Sequence, residues 1–187
     1  DESDYRRQVG EFVGWCSENN LELNVVKTKE IIVDFRRNKT PISPVFIDSS
    51  EVERVNVFKF LGIHLASDLT WSEQVKHCVK KAQQRLFFLR RMKSFGFGQR
   101  VLVDFYRSVV ESVLTHSITV WYGGSTVAQR TLLQRVVKTA SRIVGQPLPS
   151  VDDIYVARLR KRAAAIAMDK SHPGNALFQL LPSGRRY

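Results

Sequence analysis

The chain has 187 residues, 43% of them hydrophobic, which is enough apolar material for one large domain or two small ones. Twenty-nine Lys+Arg against 18 Asp+Glu leave a formal net charge of +11, favouring a polyanionic partner, nucleic acid ahead of an acidic membrane surface. Two cysteines exclude a disulfide framework and a four-cysteine zinc site, and no run approaches the roughly 20 apolar residues of a membrane span, so the expectation is a soluble intracellular chain, nuclear or cytoplasmic, with no membrane partner.

Tyr5, Val9, Phe12, Val13 and Cys16 recur at spacings of three and four and predict an amphipathic helix ending at Asn19-Asn20. Leu21–Val26 and Glu30–Phe35 are rich in β-branched residues, and Pro41 and Pro44 punctuate the chain before Val45–Ile47, Val52–Val55 and Val57–Leu65, so short antiparallel strands are expected there. From Thr70 the period becomes helical. Thr70-Trp71-Ser72-Glu73 reads as a capping box, and the helix behind it places Val75, Cys78, Val79, Ala82, Leu86 and Leu89 on one side. Its other side carries Lys76, Lys80, Gln84, Phe87 and Arg91, until Ser94–Gly98 breaks the pattern.

A second helix is predicted over about 99–115, apolar through Leu102, Phe105, Tyr106, Val109 and Val113. Ile118–Tyr122 fits either helix or strand, and Gly123-Gly124 stops it. Thr126-Val127-Ala128-Gln129 is another capping box, whose helix should end at Gly145 and carries Arg135, Lys138 and Arg142 on one face. Ser150 is a good N-cap for a last helix reaching about Met168. The fold class is therefore α+β, divided into an α+β segment over 1–66, a helical region over 67–145 and a C-terminal helical extension over 146–187.

Basic side chains three and four apart share a helix face and can follow successive phosphates, so Lys76, Lys80 and Arg91, and Arg135, Lys138 and Arg142, are candidate nucleic-acid contacts. The same stripes also read as ordinary solvated faces, and both readings stay open. Phe87 and Phe88 could stack on bases, although adjacent aromatics on a helix more often plug into a neighbouring helix.

Catalytic candidates are scarce. Asp152-Asp153 follows Ser150 in a first helical turn, where the helix dipole favours carboxylates, and so reads as a capping feature. Asp34 and Asp48 have no paired acid nearby in sequence. His64, His77, His116 and His172 show no HxD, HxxxH or HxxE spacing, no Gly-rich nucleotide loop exists, and Cys16 and Cys78 have no base suitably placed beside them. The reading is no catalytic residue, no metal site and no cofactor.

Five stretches together carry a family resemblance. NLELNVVKTK (Asn20–Lys29) followed by FKFLGIHL (Phe58–Leu65) resembles adjacent motifs of the reverse transcriptases of LINE-type (non-LTR) retrotransposons, and AQQRLFFLRRM, LVDFYRSVVESVLTHSITVWYGG and LQRVVKTASRIVG look like the thumb and following region of such enzymes. The resemblance implies the end of a polymerase palm followed by a helical thumb. Lys27 would match the lysine near the leaving pyrophosphate, Asn24 would brace its turn, and Phe60, Leu61 and Gly62 would match the hairpin that grips the primer end. The metal-binding Asp motifs of a polymerase are absent from these residues, and Mg²⁺ would serve only a complete parent enzyme. The expected function is thus a nucleic-acid-binding remnant of an RNA-directed DNA polymerase, inactive alone, holding RNA or DNA weakly and without sequence specificity, and able to self-associate through an uncovered palm edge.

A second resemblance covers about 86–124, which is similar to the short helical module at the N-terminus of an AlkB-homologue tRNA-modifying protein. It implies a helical interaction module. Neither the HxD…H triad of a dioxygenase nor the Gly-rich loop of a methyltransferase accompanies it.

Overall fold

The computed structural model describes residues 2–38, 41–178 and 184, so part of the expected C-terminal extension, 179–183 and 185–187, lies outside the described residues. The chain is α+β and divides into two compact units between Glu73 and Gln74.

The first unit opens with α1 (Glu2–Glu18), followed by six short strands: β1 (Lys29–Glu30), β2 (Phe46–Ile47), β3 (Ser50–Glu51), β4 (Glu53–Arg54), β5 (Val57–Phe60) and β6 (Ile63–Ala66). Two pairings are antiparallel hairpins, β2 with β3 and β5 with β6, whereas β1 runs parallel to β4. Asp48-Ser49 and Leu61-Gly62 close the hairpins, all four at positive φ, as two-residue turns that follow the right-handed twist of their strands require. The β1–β4 pair is tied by Glu30, 7% exposed, to which Arg54 Nε donates at 2.8 Å. The core here is small: Val45, Ile47 and Val52 are buried, with Val9, Val13, Leu23 and Val25 packed half-buried around them.

Several sequence expectations change in this unit: of Glu30–Phe35 only Glu30 lies in a strand, and that strand pairs parallel rather than antiparallel. Leu21–Val26 is not a strand: the Asn24 carbonyl accepts from both Lys27 N and Thr28 N and the chain turns, leaving Val26 84% exposed. The apolar stripe of α1 is only partly covered, since Cys16 is buried but Tyr5, Phe12 and Trp15 stay in solvent, the last two stacked at 6.2 Å.

The second unit is helical and well filled. Its elements are α2 (Ser72–Ser94, whose first two residues fall in the first unit), α3 (Gln99–Phe105), a π-helical turn (Tyr106–Glu111), α4 (Ser112–Leu114), α5 (Ile118–Trp121), α6 (Val127–Val144), α7 (Val151–Met168) and a short 3₁₀ turn (Asn175–Phe178). Val75, Cys78, Ala82, Leu86 and Leu89 turn the expected face of α2 inward, joined by Gln74, whose amide donates to Cys78 Sγ at 3.3 Å. The capping box at Thr126 has both of its reciprocal bonds, and Gly145 ends α6 at φ +82°, a left-handed conformation glycine adopts without a Cβ clash. Ile118–Trp121 resolves as helix rather than strand.

The π-helical turn had no counterpart in the sequence pattern. Inside it, Arg85 Nη1 donates from α2 to the Val109 carbonyl, a cross-helix bond at the widened turn. At its start Tyr106 is fully buried, and its hydroxyl meets no hydrogen-bond partner among the described residues, so burial drives its ionisation upward. A buried unsatisfied hydroxyl costs about 1–3 kcal/mol. Tyr106→Phe is therefore expected to stabilise the unit by about 1 kcal/mol, seen as a higher urea midpoint at unchanged slope; a lower midpoint would mean that the hydroxyl is satisfied.

Candidate nucleic-acid interface

On α2, Lys76, Lys80, Phe87 and Arg91 are all exposed, as helical spacing required. Beyond Glu73 the helix contains no acidic residue, so Lys80 and Arg91 have no carboxylate of their own helix within a turn of them. On α6, Arg135, Lys138 and Arg142 share one exposed face opposite the buried Leu133, Val136, Val137, Ala140 and Val144. Among the described residues, no carboxylate forms an ion pair with Lys80, Arg91, Arg135, Lys138 or Arg142. Each stripe lies on a single helix. α6 packs against α3 and α7, and α5 against α7.

A third basic group was not singled out from the sequence. Arg158–Arg162 (RLRKR) lies wholly exposed on α7, a helix of which only Val151 is buried. Arg158 is used internally, donating to the Thr115 carbonyl at 2.7 Å, which leaves Arg160, Lys161 and Arg162 facing water. Five consecutive residues with four cations were a signal in the sequence itself. Arg130, by contrast, is a structural cation: it sits 4.8 Å over the Tyr122 ring and donates to the Tyr122 and Gly123 carbonyls.

Phe87 and Phe88 do not plug into a neighbouring helix. Both rings are 57% exposed and meet edge to face, with centroids 5.6 Å apart. Beside Phe88 lies an apolar groove of about 640 Å³ between α2 and the α3–π segment, with Met92, Phe95 and Phe105 in its lining and Arg85 and Arg91 at its edge. The Arg91 guanidinium rests 5.0 Å over the Phe95 ring.

In the first unit, Asn24 Oδ1 accepts from Lys27 N at 3.1 Å, so the side chain closes the turn on which Lys27 is exposed. Phe60 pairs with Ile63 across Leu61-Gly62, and Leu61 stands 79% exposed at the tip of that hairpin at φ +48°. These motif residues and the basic stripes belong to different units.

The acidic and thiol candidates are all taken up locally. Asp153 Oδ2 accepts from Ser150 N at 3.2 Å while its own N–H donates to Ser150 Oγ, which makes the Asp152-Asp153 pair part of a helix cap. Asp34 receives both Nε and Nη2 of Arg36, and Asp48 forms a hairpin turn. Burial pushes the Cys78 thiol up to about 11, which suppresses the nucleophilic thiolate at neutral pH. Among the described residues, no three His, Cys, Asp or Glu side chains come together as a set that could hold a metal. No described helix is long and apolar enough to cross a membrane.

Residues 71–112 match a protein-family model described as "Alkylated DNA repair protein alkB homolog 8, N-terminal". The matched stretch takes in α2, the turn after it, α3 and the π-helical turn, and it overlaps the segment expected from the sequence between residues 86 and 112. No curated protein and no solved structure matches the chain. The α2–α3 hairpin is thus similar to the N-terminal module of an alkB homologue, which is less than half of the chain.

Proposed function

We propose that the second unit is a helical binding module of the kind that matches residues 71–112, that it has no dioxygenase or methyltransferase chemistry of its own, and that its ligand is the phosphate backbone of RNA or DNA, held weakly and without sequence preference. The observation that carries this reading is the exposure of cations without carboxylate partners on two helices: Lys80 and Arg91 on α2, and Arg135, Lys138 and Arg142 on α6. Lys76 extends the first stripe, and Arg160–Arg162 adds to the positive field. A cation facing water repels its neighbours and gains by displacing counterions from a polyanion.

Titrating the chain with a labelled duplex across about 50–200 mM salt tests this, because log affinity falls with log salt by roughly 0.9 per phosphate neutralised. Reversing Arg135, Lys138 and Arg142 to Glu, or Lys76, Lys80 and Arg91 to Glu, should weaken binding and flatten the slope by about one for each phosphate that is no longer neutralised. Affinity indifferent to salt would sink the reading and leave the stripes as solvated faces.

A second reading has its own support. The Asn24-braced turn before Lys27 and the tight Phe60–Ile63 hairpin, with Leu61 exposed at its tip, occur in the order of the palm motifs of LINE-type reverse transcriptases. On this reading the whole chain derives from the end of a palm and a thumb, and retains nucleic-acid holding without polymerisation.

A further inference from the structure

We propose that the groove between α2 and the α3–π segment takes the unpaired bases of a single nucleic-acid strand, so that the second unit prefers single-stranded to duplex ligand. The proposal rests on the backbone-binding reading above and adds the ligand class. Phe88 and Phe95 stand 57% and 68% exposed on this groove, an unusual exposure for phenylalanine, and Phe105 and Met92 supply further apolar wall. The Arg91 guanidinium carbon sits over the Phe95 ring, 5.0 Å from its centroid, so this ring already engages a cation through its face, the side on which a base would stack.

The arrangement around the helix decides between bases and other apolar guests. At about 100° per residue, Phe88 and Met92 of α2 and Phe95, whose N–H donates to the Arg91 carbonyl just past the helix end, form one strip, and Lys80, Phe87 and Arg91 form the strip beside it, both outside the buried face. A strand running along α2 would therefore lay its phosphates on the cations while its bases turn into the groove. From Lys80 to Phe95 this path is roughly 22 Å at 1.5 Å per residue, room for several nucleotides. The groove's lining carries no carboxylate; Asp104 is exposed on α3 but does not line it. A duplex keeps its bases stacked inside and would leave the groove empty. An acidic amphipathic helix would satisfy the groove and the rim but has no use for exposed ring faces aligned beside a row of cations.

Fluorescence anisotropy at fixed salt with oligonucleotides of about 12 residues separates the cases. The full chain should bind a base-bearing single strand roughly 30-fold more tightly than an abasic strand of equal charge, as expected for two bases stacked on aromatics. Phe88→Ala with Phe95→Ala, both exposed and so compatible with folding, should bring the two affinities together without changing the salt slope, and Phe88→Tyr should keep the preference. Equal affinity for base-bearing and abasic strands in the unaltered chain, with a steep salt slope, would overturn the groove assignment and leave backbone binding standing. Loss of salt dependence would remove both. Displacement of the strand by an amphipathic Leu/Glu helix binding more tightly than any oligonucleotide would give the groove to a protein partner and also overturn it.

Discussion

Trp121→Ala should destabilise the second unit by about 3–5 kcal/mol, enough to move its urea midpoint by roughly 2 M or to prevent folding altogether. The indole is fully buried, its Nε1 donates to the His116 carbonyl at 2.9 Å, and its ring meets Tyr122 edge to face at 5.9 Å. Truncation leaves a cavity, an unsatisfied carbonyl in the 115–118 corner and a Tyr122 ring without one of its two aromatic neighbours, Tyr155 being the other. Ser117, at φ +47°, makes that corner a strained bend that its surroundings must hold in place. Trp121→Phe fills most of the volume but cannot donate, so it should cost markedly less; the gap between the two variants measures packing apart from the hydrogen bond. A midpoint unmoved in Trp121→Ala would mean that α5 is not part of the cooperative core.

What could be read from the sequence is what local chemistry decides. The capping box at Thr126 and the N-cap at Ser150 rest on residues three apart whose side chains and backbone groups satisfy one another, and both hold in the structure, Ser150 completing a box with Asp153. The inward face of α2 and the outward position of its cations follow from the helical period alone. Elements that depend on distant partners were less legible. Val25 and Val26 favour a strand by propensity, yet the Asn24 side chain and carbonyl close a turn around them, a local hydrogen-bonding alternative to a ladder. The parallel β1–β4 pair joins residues 24 positions apart, and the Glu30–Arg54 ion pair that ties it carries no local signature. At the π-helical turn Arg85 reaches the Val109 carbonyl from another helix, 24 residues away in sequence, a contact no local spacing announces. For the site, the cations were visible as spacing, but the groove was not, since Phe88 and Phe105 come together only when α2 and α3 fold back on each other.

The two units should differ by orders of magnitude in hydrogen exchange, with the strands and α1 of the first far less protected than α2 and α6 of the second. Protection scales with the free energy of opening, a factor of ten for each 1.4 kcal/mol or so, and opening is cheap where few apolar side chains are buried. The first unit has strands mostly two residues long and a cluster centred on Val45, Ile47 and Val52, and it leaves Phe12, Trp15 and Phe35 in solvent. The second has Leu89, Leu102, Tyr106, Leu114, Trp121 and Leu133 fully enclosed. Short strand pairs with open edges and exposed aromatics also invite association with another chain. The full chain should accordingly self-associate more strongly in sedimentation equilibrium than a shortened chain starting at Asp68, and Phe12→Ser with Trp15→Ser should reduce that association without lowering the stability of the second unit, which none of those side chains supports. Equal protection of both units in a strictly monomeric chain would refute the argument, and would mean that the turns at Asn24, Asp48 and Leu61 stabilise the first unit more than its buried surface indicates.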